Sequence, residues 1–330
     1  MDGGTPIIEA GAGMKLLAVL GVALCWTAPG ARAQPARNSA AAKPAPEAVI
    51  DEETRIRLEV TRVNLLFTVS DKKGRFITNL TKDDFEVIEG KNRQNILEFV
   101  AESELPLRLG VLIDTSNSIR DRFRFQQEAA VEFIRSVVRP RVDRAIVVSF
   151  DTSAELVADL TDDVQLLENS IRDLRPGGGT SLYDAIFFAC RDKLALDQPR
   201  HKFRRALILL SDGEDNQSRY SRDQALEMAH KADVVIYTIS TNITRQETDG
   251  DKVLKYFSAE TGGLPFFPFK VEDLTQSFEN IANEMRHQYS ILYRPEPLKT
   301  DGLYHEVSVR VKTQKNMMVR ARKGYYAPKM

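Results

Sequence analysis

The chain has 330 residues, of which 42% are hydrophobic and 28% are charged. This length suits about two domains of roughly 100–200 residues each, and the composition is that of a globular protein with a sizeable core. The formal net charge of −1 gives the chain no overall basic field. Nucleic acid and anionic membrane surfaces are therefore not the expected partners.

The N-terminal region 1–33 has the pattern of an export signal. An apolar block over 16–28 follows Lys15 and precedes the tripeptide Ala-Arg-Ala at 31–33, whose small residues suit a cleavage site. The block is too short for a permanent membrane helix, which needs ~20 apolar residues. We therefore expect cleavage, a mature start near Gln34 and a secreted or periplasmic protein without an integral membrane span.

The cysteines exclude a disulfide framework. Cys25 lies inside the predicted signal and leaves with it, so Cys190 is alone in the mature chain. Cys190 sits in an apolar stretch of a helical pattern and is expected to be a small core residue. Stability must then come from packing.

Two segments precede the largest domain. Residues 34–54 are rich in Ala and Pro and are predicted to form a flexible linker. Residues 55–103 carry the alternating apolar pattern of β-strands, clearest over 57–69, with an Asp-Lys-Lys-Gly turn at 71–74. This β segment is too small to be stable alone, so it needs a partner.

Strand and helix patterns alternate over 104–288. The uncharged apolar runs predict buried strands at 109–113, 145–150, 206–210 and 234–239, and polar alternation predicts an edge strand at 154–160. Helical patterns fall at 123–138, 163–174, 181–196, 221–231, 252–261 and 271–286. Strands that are apolar on both faces and alternate with helices predict a doubly wound α/β fold. Its sheet is mostly parallel, with helices on both faces.

The β pattern returns over 289–330. Alternating segments occur at 290–293, 304–311 and 317–321. Because the ends of a domain are usually close together, we expect 289–330 to pair with 55–103. The α/β unit would then be an insertion into a small β-rich domain.

Three predicted loops carry oxygen-bearing side chains. In open α/β sheets, ligands bind beyond the carboxyl ends of the strands. The first loop holds Asp114, Ser116 and Ser118, whose alternate spacing lets them face one point. A glycine-rich second loop holds Thr180, and the third holds Asp212. Carboxylate and hydroxyl oxygens without His or Cys suit Mg²⁺ or Mn²⁺.

The Asp-x-Ser-x-Ser, Gly-Gly-Thr and Ser-Asp-Gly motifs occur in that order within 107–287. They resemble the metal ion-dependent adhesion site of von Willebrand factor type A (VWA) domains, and the flanking β segments resemble those of bacterial VWFA-related proteins. The resemblance assigns the five metal positions to Asp114, Ser116, Ser118, Thr180 and Asp212.

The resemblance also implies a mechanism. The hydroxyls would bind the cation directly, and the two aspartates would act mostly through water. One position of the cation would stay open for an Asp or Glu carboxylate of a partner protein. The expected function is adhesion or scaffolding by an exported protein, with no catalytic residue.

Other interpretations of the motifs remain. Taken singly, the first motif could be a helix N-cap, the second a loop and the third a turn. A Mg²⁺-dependent phosphohydrolase needs a second acid two residues after the first, and Ser116 stands there. Serine-hydrolase and zinc-hydrolase motifs are absent from the sequence. An accessory VWA subunit of an envelope or ATPase-linked assembly stays open as an alternative.

Overall fold

A computed structural model describes residues 62–101, 105–198, 202–242, 244, 246–268, 271–312 and 316–329. The predicted export signal at 1–33 and the linker at 34–54 lie outside these residues, so both stay predictions. Among the described helices, none is long and apolar enough to cross a membrane.

Strands and helices follow each other along the described residues. The strands are β1 (Val63–Asp71), β2 (Phe85–Glu89), β3 (Asn92–Gln94), β4 (Ile96–Val100), β5 (Leu107–Asp114), β6 (Arg144–Phe150), β7 (Ala154–Thr161), β8 (Arg204–Ser211), β9 (Val234–Ser240), β10 (Pro265–Phe266), β11 (Tyr289–Tyr293), β12 (Tyr304–Val311), β13 (Met317–Ala321) and β14 (Gly324–Tyr326). The α-helices are α1 (Phe123–Val137), α2 (Val164–Arg172), α3 (Leu182–Phe188), α4 (Arg222–Lys231), α5 (Asp249–Thr261) and α6 (Val271–Arg286).

The largest sheet has six strands in the order β10-β9-β8-β5-β6-β7. All neighbours are parallel except the edge strand β7, which is antiparallel to β6. Every residue of β5, β8 and β9 is buried, as expected for parallel strands covered on both faces. Helices α1, α2 and α6 pack on one face, and α3, α4 and α5 pack on the other. The predicted α/β fold class is confirmed.

The predicted helix over 181–196 is not a single α-helix. After α3 the chain continues as a π-helix, Ala189–Leu194. The bond from Ala195 N to Cys190 O, 3.0 Å long, spans five residues. Ala189, Cys190 and Leu194 are all buried, and the wider π turn brings residues five positions apart onto one face. Cys190 is the core residue that the sequence predicts.

The flanking β segments form two four-stranded sheets, ordered β13-β1-β11-β4 and β14-β12-β2-β3. Strand β1 pairs antiparallel with β11 and β13, and β2 pairs antiparallel with β12. Phe67, Phe85 and Tyr289 lie in the shared core, with ring centroids 5.1–5.5 Å apart. The predicted β-rich region built from both ends of the chain is confirmed.

The β region contacts the α/β unit at the amino end of β9 and at the carboxyl end of α6. The Arg322 guanidinium lies 2.5 Å from the Asp233 carboxylate and donates to the Asn64 carbonyl at 2.8 Å. The Arg320 guanidinium lies 2.7 Å from the Glu284 carboxylate at the end of α6. The first and third predicted ligand loops follow the opposite, carboxyl ends of β5 and β8, so these contacts of the β region lie away from that edge.

Candidate metal centre

Asp114 ends β5 and is fully buried. Its Oδ1 accepts a hydrogen bond from the Ser116 backbone N–H at 2.9 Å, and its Oδ2 accepts one from the Ser211 hydroxyl at 2.6 Å. Ile113 and Leu210 are aligned across β5 and β8, so Asp114 and Ser211 leave the sheet side by side. The parallel register therefore brings the first and third loops together.

Two serines extend this contact. The Ser116 and Ser118 hydroxyl oxygens are 2.9 Å apart, and the Ser118 hydroxyl donates to Asp212 Oδ2 at 2.6 Å. A 3-10 helix, Asn117–Arg122, turns the chain so that Ser118 faces the same point as Ser116. Four of the five predicted site residues thus form one hydrogen-bonded chain.

Thr180 joins the site through its backbone. Its N–H donates to Asn216 Oδ1 at 3.0 Å, and its carbonyl accepts from the N–H groups of Asn216 and Gln217, both at 3.0 Å. The second loop also bonds to the first, because Asn117 N–H donates to the Gly178 carbonyl at 3.3 Å. Thr180 is 3% exposed. The second loop is therefore held between the other two.

The glycines of the second loop allow this close approach. Gly178 has a φ of +80°, and a Cβ there would lie 2.8 Å from the Thr152 hydroxyl oxygen. A Cβ on Gly179 would lie 2.8 Å from Gln217 Cγ. A larger residue at either position would require neighbouring side chains to move, and at position 178 it would also be strained by the positive φ.

The site holds negative charge without a basic partner. Burial raises the pKa of Asp114 to about 6, and the nearby Asp212 carboxylate adds to this rise, while bonds from Ser116 and Ser211 oppose it. Among the described residues, no Lys or Arg forms an ion pair with Asp114 or Asp212. A buried carboxylate beside a second, partly exposed carboxylate is costly without a compensating cation.

The donor set fits a hard cation. It consists of carboxylate and hydroxyl oxygens only, which Mg²⁺ and Mn²⁺ prefer over nitrogen and sulfur. Within the described part of the chain, no three or more His, Cys, Asp or Glu residues cluster in a way that could hold a metal. The candidate site instead combines two carboxylates, Asp114 and Asp212, with serine hydroxyls.

Ser211 and Asn216 contribute to the site but were not among the predicted site residues. The Ser211 hydroxyl bridges two loops, since it donates to Asp114 and accepts from the Gly213 N–H at 3.0 Å. Asn216 bonds to Thr180 through both its side chain and its N–H. A hydroxyl residue directly after the apolar run at 206–210 is the sequence signal that could have identified Ser211.

Comparisons with known proteins identify a family for part of the chain. Residues 109–214 match the family described as von Willebrand factor type A domain. No curated protein matches the chain significantly.

Solved structures of similar fold share little sequence with the chain. A von Willebrand factor type A protein from Catenulispora acidiphila is 14% identical, with a TM-score of 0.49 over 81% of this chain and 74% of that one. The VWF domain of the type V pili tip protein Mfa5 from Porphyromonas gingivalis is 16% identical, with a TM-score of 0.44 over 54% and 94%.

A third structure is proximal thread matrix protein 1 from the mussel byssus, solved with a zinc-occupied MIDAS motif. It is 16% identical, with a TM-score of 0.48, and the match covers 60% of this chain and 50% of that one. The family match over 109–214, which includes all five predicted site residues, identifies a von Willebrand factor type A domain in this chain.

Proposed function

We propose that this VWA domain binds one Mg²⁺ or Mn²⁺ and uses it to capture an acidic group of a partner protein. The observation that carries the proposal is the chain of hydrogen bonds through Asp114, Ser116, Ser118 and Asp212. It ends in two carboxylates that have no basic partner among the described residues. A divalent cation supplies the missing positive charge.

The roles of the residues follow from their chemistry. The hydroxyls of Ser116, Ser118 and Thr180 would hold the cation directly, and Asp114 and Asp212 would orient its waters. Neutral hydroxyls leave most of the cation's charge available. A partner's Asp or Glu carboxylate that reaches it while excluding water gains a strong charge-assisted contact.

The proposal describes a binding protein, not an enzyme. Ser116 stands where a phosphohydrolase would need a general acid, and a hydroxyl is a poor proton donor at neutral pH. Together with the predicted signal at 1–33, this supports an exported adhesion or scaffold module. N-terminal sequencing of the native protein should find a start near Gln34, and an intact Met1 or Met14 would contradict export by cleavage.

Calorimetric titration of Mg²⁺ and Mn²⁺ tests the cation site. Asp114→Asn keeps the shape of the side chain but removes its charge, so we expect affinity to fall ~10–100-fold. Asp143→Asn is the matched control. Asp143 is equally buried but lies beside Arg139 at the amino end of the sheet, so its replacement should leave cation affinity unchanged. Equal affinities in wild type and Asp114→Asn would reject the site.

Partner capture is tested with envelope extract and immobilised protein. Proteins that require the site should be retained by the wild type with Mg²⁺, and lost with EDTA or with Asp114→Asn. Retention that is the same under all three conditions would show that partners bind elsewhere on the molecule.

A further inference from the structure

The first turn of α5 touches the backbone of the third ligand loop. A Cβ on Gly250 would lie 2.1 Å from the Asp212 carbonyl oxygen, and a Cβ on Gly213 would lie 2.2 Å from the Gly250 carbonyl oxygen. Real Cβ atoms do not approach backbone this closely. Two glycines therefore allow the backbones of α5 and the loop to meet directly.

The amino-terminal end of α5 is also held in place by hydrogen bonds of its capping residue and of Asp251. Thr248 caps the helix, and its hydroxyl accepts from the Asp251 N–H at 3.1 Å while Asp251 Oδ2 accepts from the Thr248 N–H at 2.9 Å. The buried Asp251 carboxylate also accepts from the Ser240 hydroxyl at 2.7 Å and from Asn242 Nδ2 at 2.8 Å. The helix end cannot retreat without breaking these buried bonds.

The loop side of the contact leads to both carboxylates. Gly213 N–H donates to the Ser211 hydroxyl, which donates to Asp114. Glu214 N–H donates to Asp212 Oδ1 at 3.1 Å. A side chain at position 250 would press on the peptide between Asp212 and Gly213. The displacement would then reach both Asp212 and Asp114.

We propose that Gly250 is a positioning residue for the cation site, acting through the Asp212–Gly213 peptide. The inference rests on the proposed function, because it concerns the same cation. Gly250 lies 38 positions after Asp212 in the sequence and outside the three ligand loops. Its contribution is the space that it leaves for the loop.

The test compares two Gly→Ala variants with the same kind of backbone clash. A Cβ on Gly250 meets Asp212 O, and a Cβ on Gly263, just beyond the far end of α5, would meet Ile236 O at 2.1 Å. Both variants should lower the melting temperature. Only Gly250→Ala should weaken Mg²⁺ and Mn²⁺ binding in calorimetric titration, by ~10-fold or more. An equal loss of cation affinity in both variants, or no loss of cation affinity in Gly250→Ala, would overturn the proposal.

A second measurement needs no cation. In the metal-free protein, the amides of Gly213 and Glu214 should exchange hydrogen faster in Gly250→Ala than in the wild type or in Gly263→Ala. Unchanged exchange at these two amides would overturn the positioning role. If the wild type binds no cation, the proposed function fails, and the amide exchange still decides whether Gly250 holds the loop.

A milder pair of variants covers the case in which Gly250→Ala does not fold. Thr248→Ala removes the α5 cap and loosens the helix end, whereas Thr81→Ala removes a comparable side chain that bonds to Asp84 in the β region. Only Thr248→Ala should speed exchange at Gly213 and Glu214 and weaken cation binding. The same behaviour in both variants would overturn the proposal.

Discussion

At the amino end of the six-stranded sheet, buried charges lie beside charges of opposite sign. Asp143 lies 2.7 Å from the Arg139 guanidinium, and the Glu284 carboxylate lies 2.7 Å from that of Arg320. At the carboxyl end, Asp114 and Asp212 lie near each other with no basic partner among the described residues. The Arg320–Glu284 pair joins the β region to the α/β unit. The arrangement at the carboxyl end leaves negative charge that the proposed cation would compensate.

The largest loss of stability should come from breaking the buried ion pair between Arg320 and Glu284. Arg320→Met keeps most of the apolar stem but leaves Glu284, which is 1% exposed, without its cation. We expect the free energy of unfolding to fall by about 3–5 kcal/mol. Denaturant titration measures it.

Two further variants sharpen this prediction. Arg75→Ala breaks an exposed pair with Asp71 and should lower the free energy of unfolding much less, because water screens the two charges. The double variant Arg320→Met/Glu284→Leu should recover much of the loss, because no buried charge is left unpaired. A loss in Arg320→Met no larger than that in Arg75→Ala would mean that the pair does not hold the two regions together.

The next prediction concerns the gain in stability on adding Mg²⁺ to the carboxyl end of the six-stranded sheet. At a Mg²⁺ concentration of ~100 times its dissociation constant, the wild type should gain about 2.7 kcal/mol of stability, because the cation binds only the folded site. Asp114→Asn at the same Mg²⁺ concentration should gain much less. Thermal unfolding with Mg²⁺ and with EDTA measures both. A gain that is equal in the two proteins would place the cation elsewhere.

A pH effect should arise where the β region meets α4. Burial lowers the pKa of His230 to about 4, and the positive charge of Arg322 adds to this. The His230 imidazole takes up a proton near pH 6.5 in the unfolded chain, but only near pH 4 in the folded protein. The stability from this group is therefore complete above pH 6.5 and decreases as the pH falls toward 4.

Between pH 7 and pH 5 the decrease should be about 2 kcal/mol. His230→Phe keeps a ring beside Tyr304, whose ring centroid lies 5.5 Å from that of His230, and cannot take up a proton. The difference in stability between wild type and variant should change with pH by this amount. A difference that stays constant from pH 7 to pH 5 would contradict the buried neutral His230.

The smallest expected change in the free energy of unfolding is that of Asp114→Asn, and it distinguishes the carboxyl end of the sheet from the amino end. In the metal-free protein, Asp114→Asn should change the free energy of unfolding by less than about 1 kcal/mol. The variant loses part of the hydrogen bonding from Ser211 and Ser116 but also loses an uncompensated buried charge, and these terms oppose each other. Denaturant titration in EDTA measures it. A loss as large as that in Arg320→Met would show that Asp114 is needed for folding and not only for cation binding.

Much of the fold was predictable because it depends on local pattern. The uncharged run in β5 and the helical spacing in α1 predicted their elements, and both are buried as expected. The π-helix after α3 was missed, since apolar residues alone do not distinguish it from a longer α-helix. The short strands β3 and β14 were also missed, because three residues are too few to show an alternating pattern.

The types of oxygen atom at the candidate site, and the order in which the loops carry them, follow from the sequence alone. Residue chemistry and strand pattern are local properties, so the motifs around Asp114, Thr180 and Asp212 were readable without coordinates. The bond from Ser211 to Asp114 and the contact of Gly250 with the Asp212–Gly213 peptide become visible only in the folded protein. Both depend on which strands become neighbours and on where α5 begins relative to the loop. Contacts of that kind come from packing between distant segments, which no local pattern records.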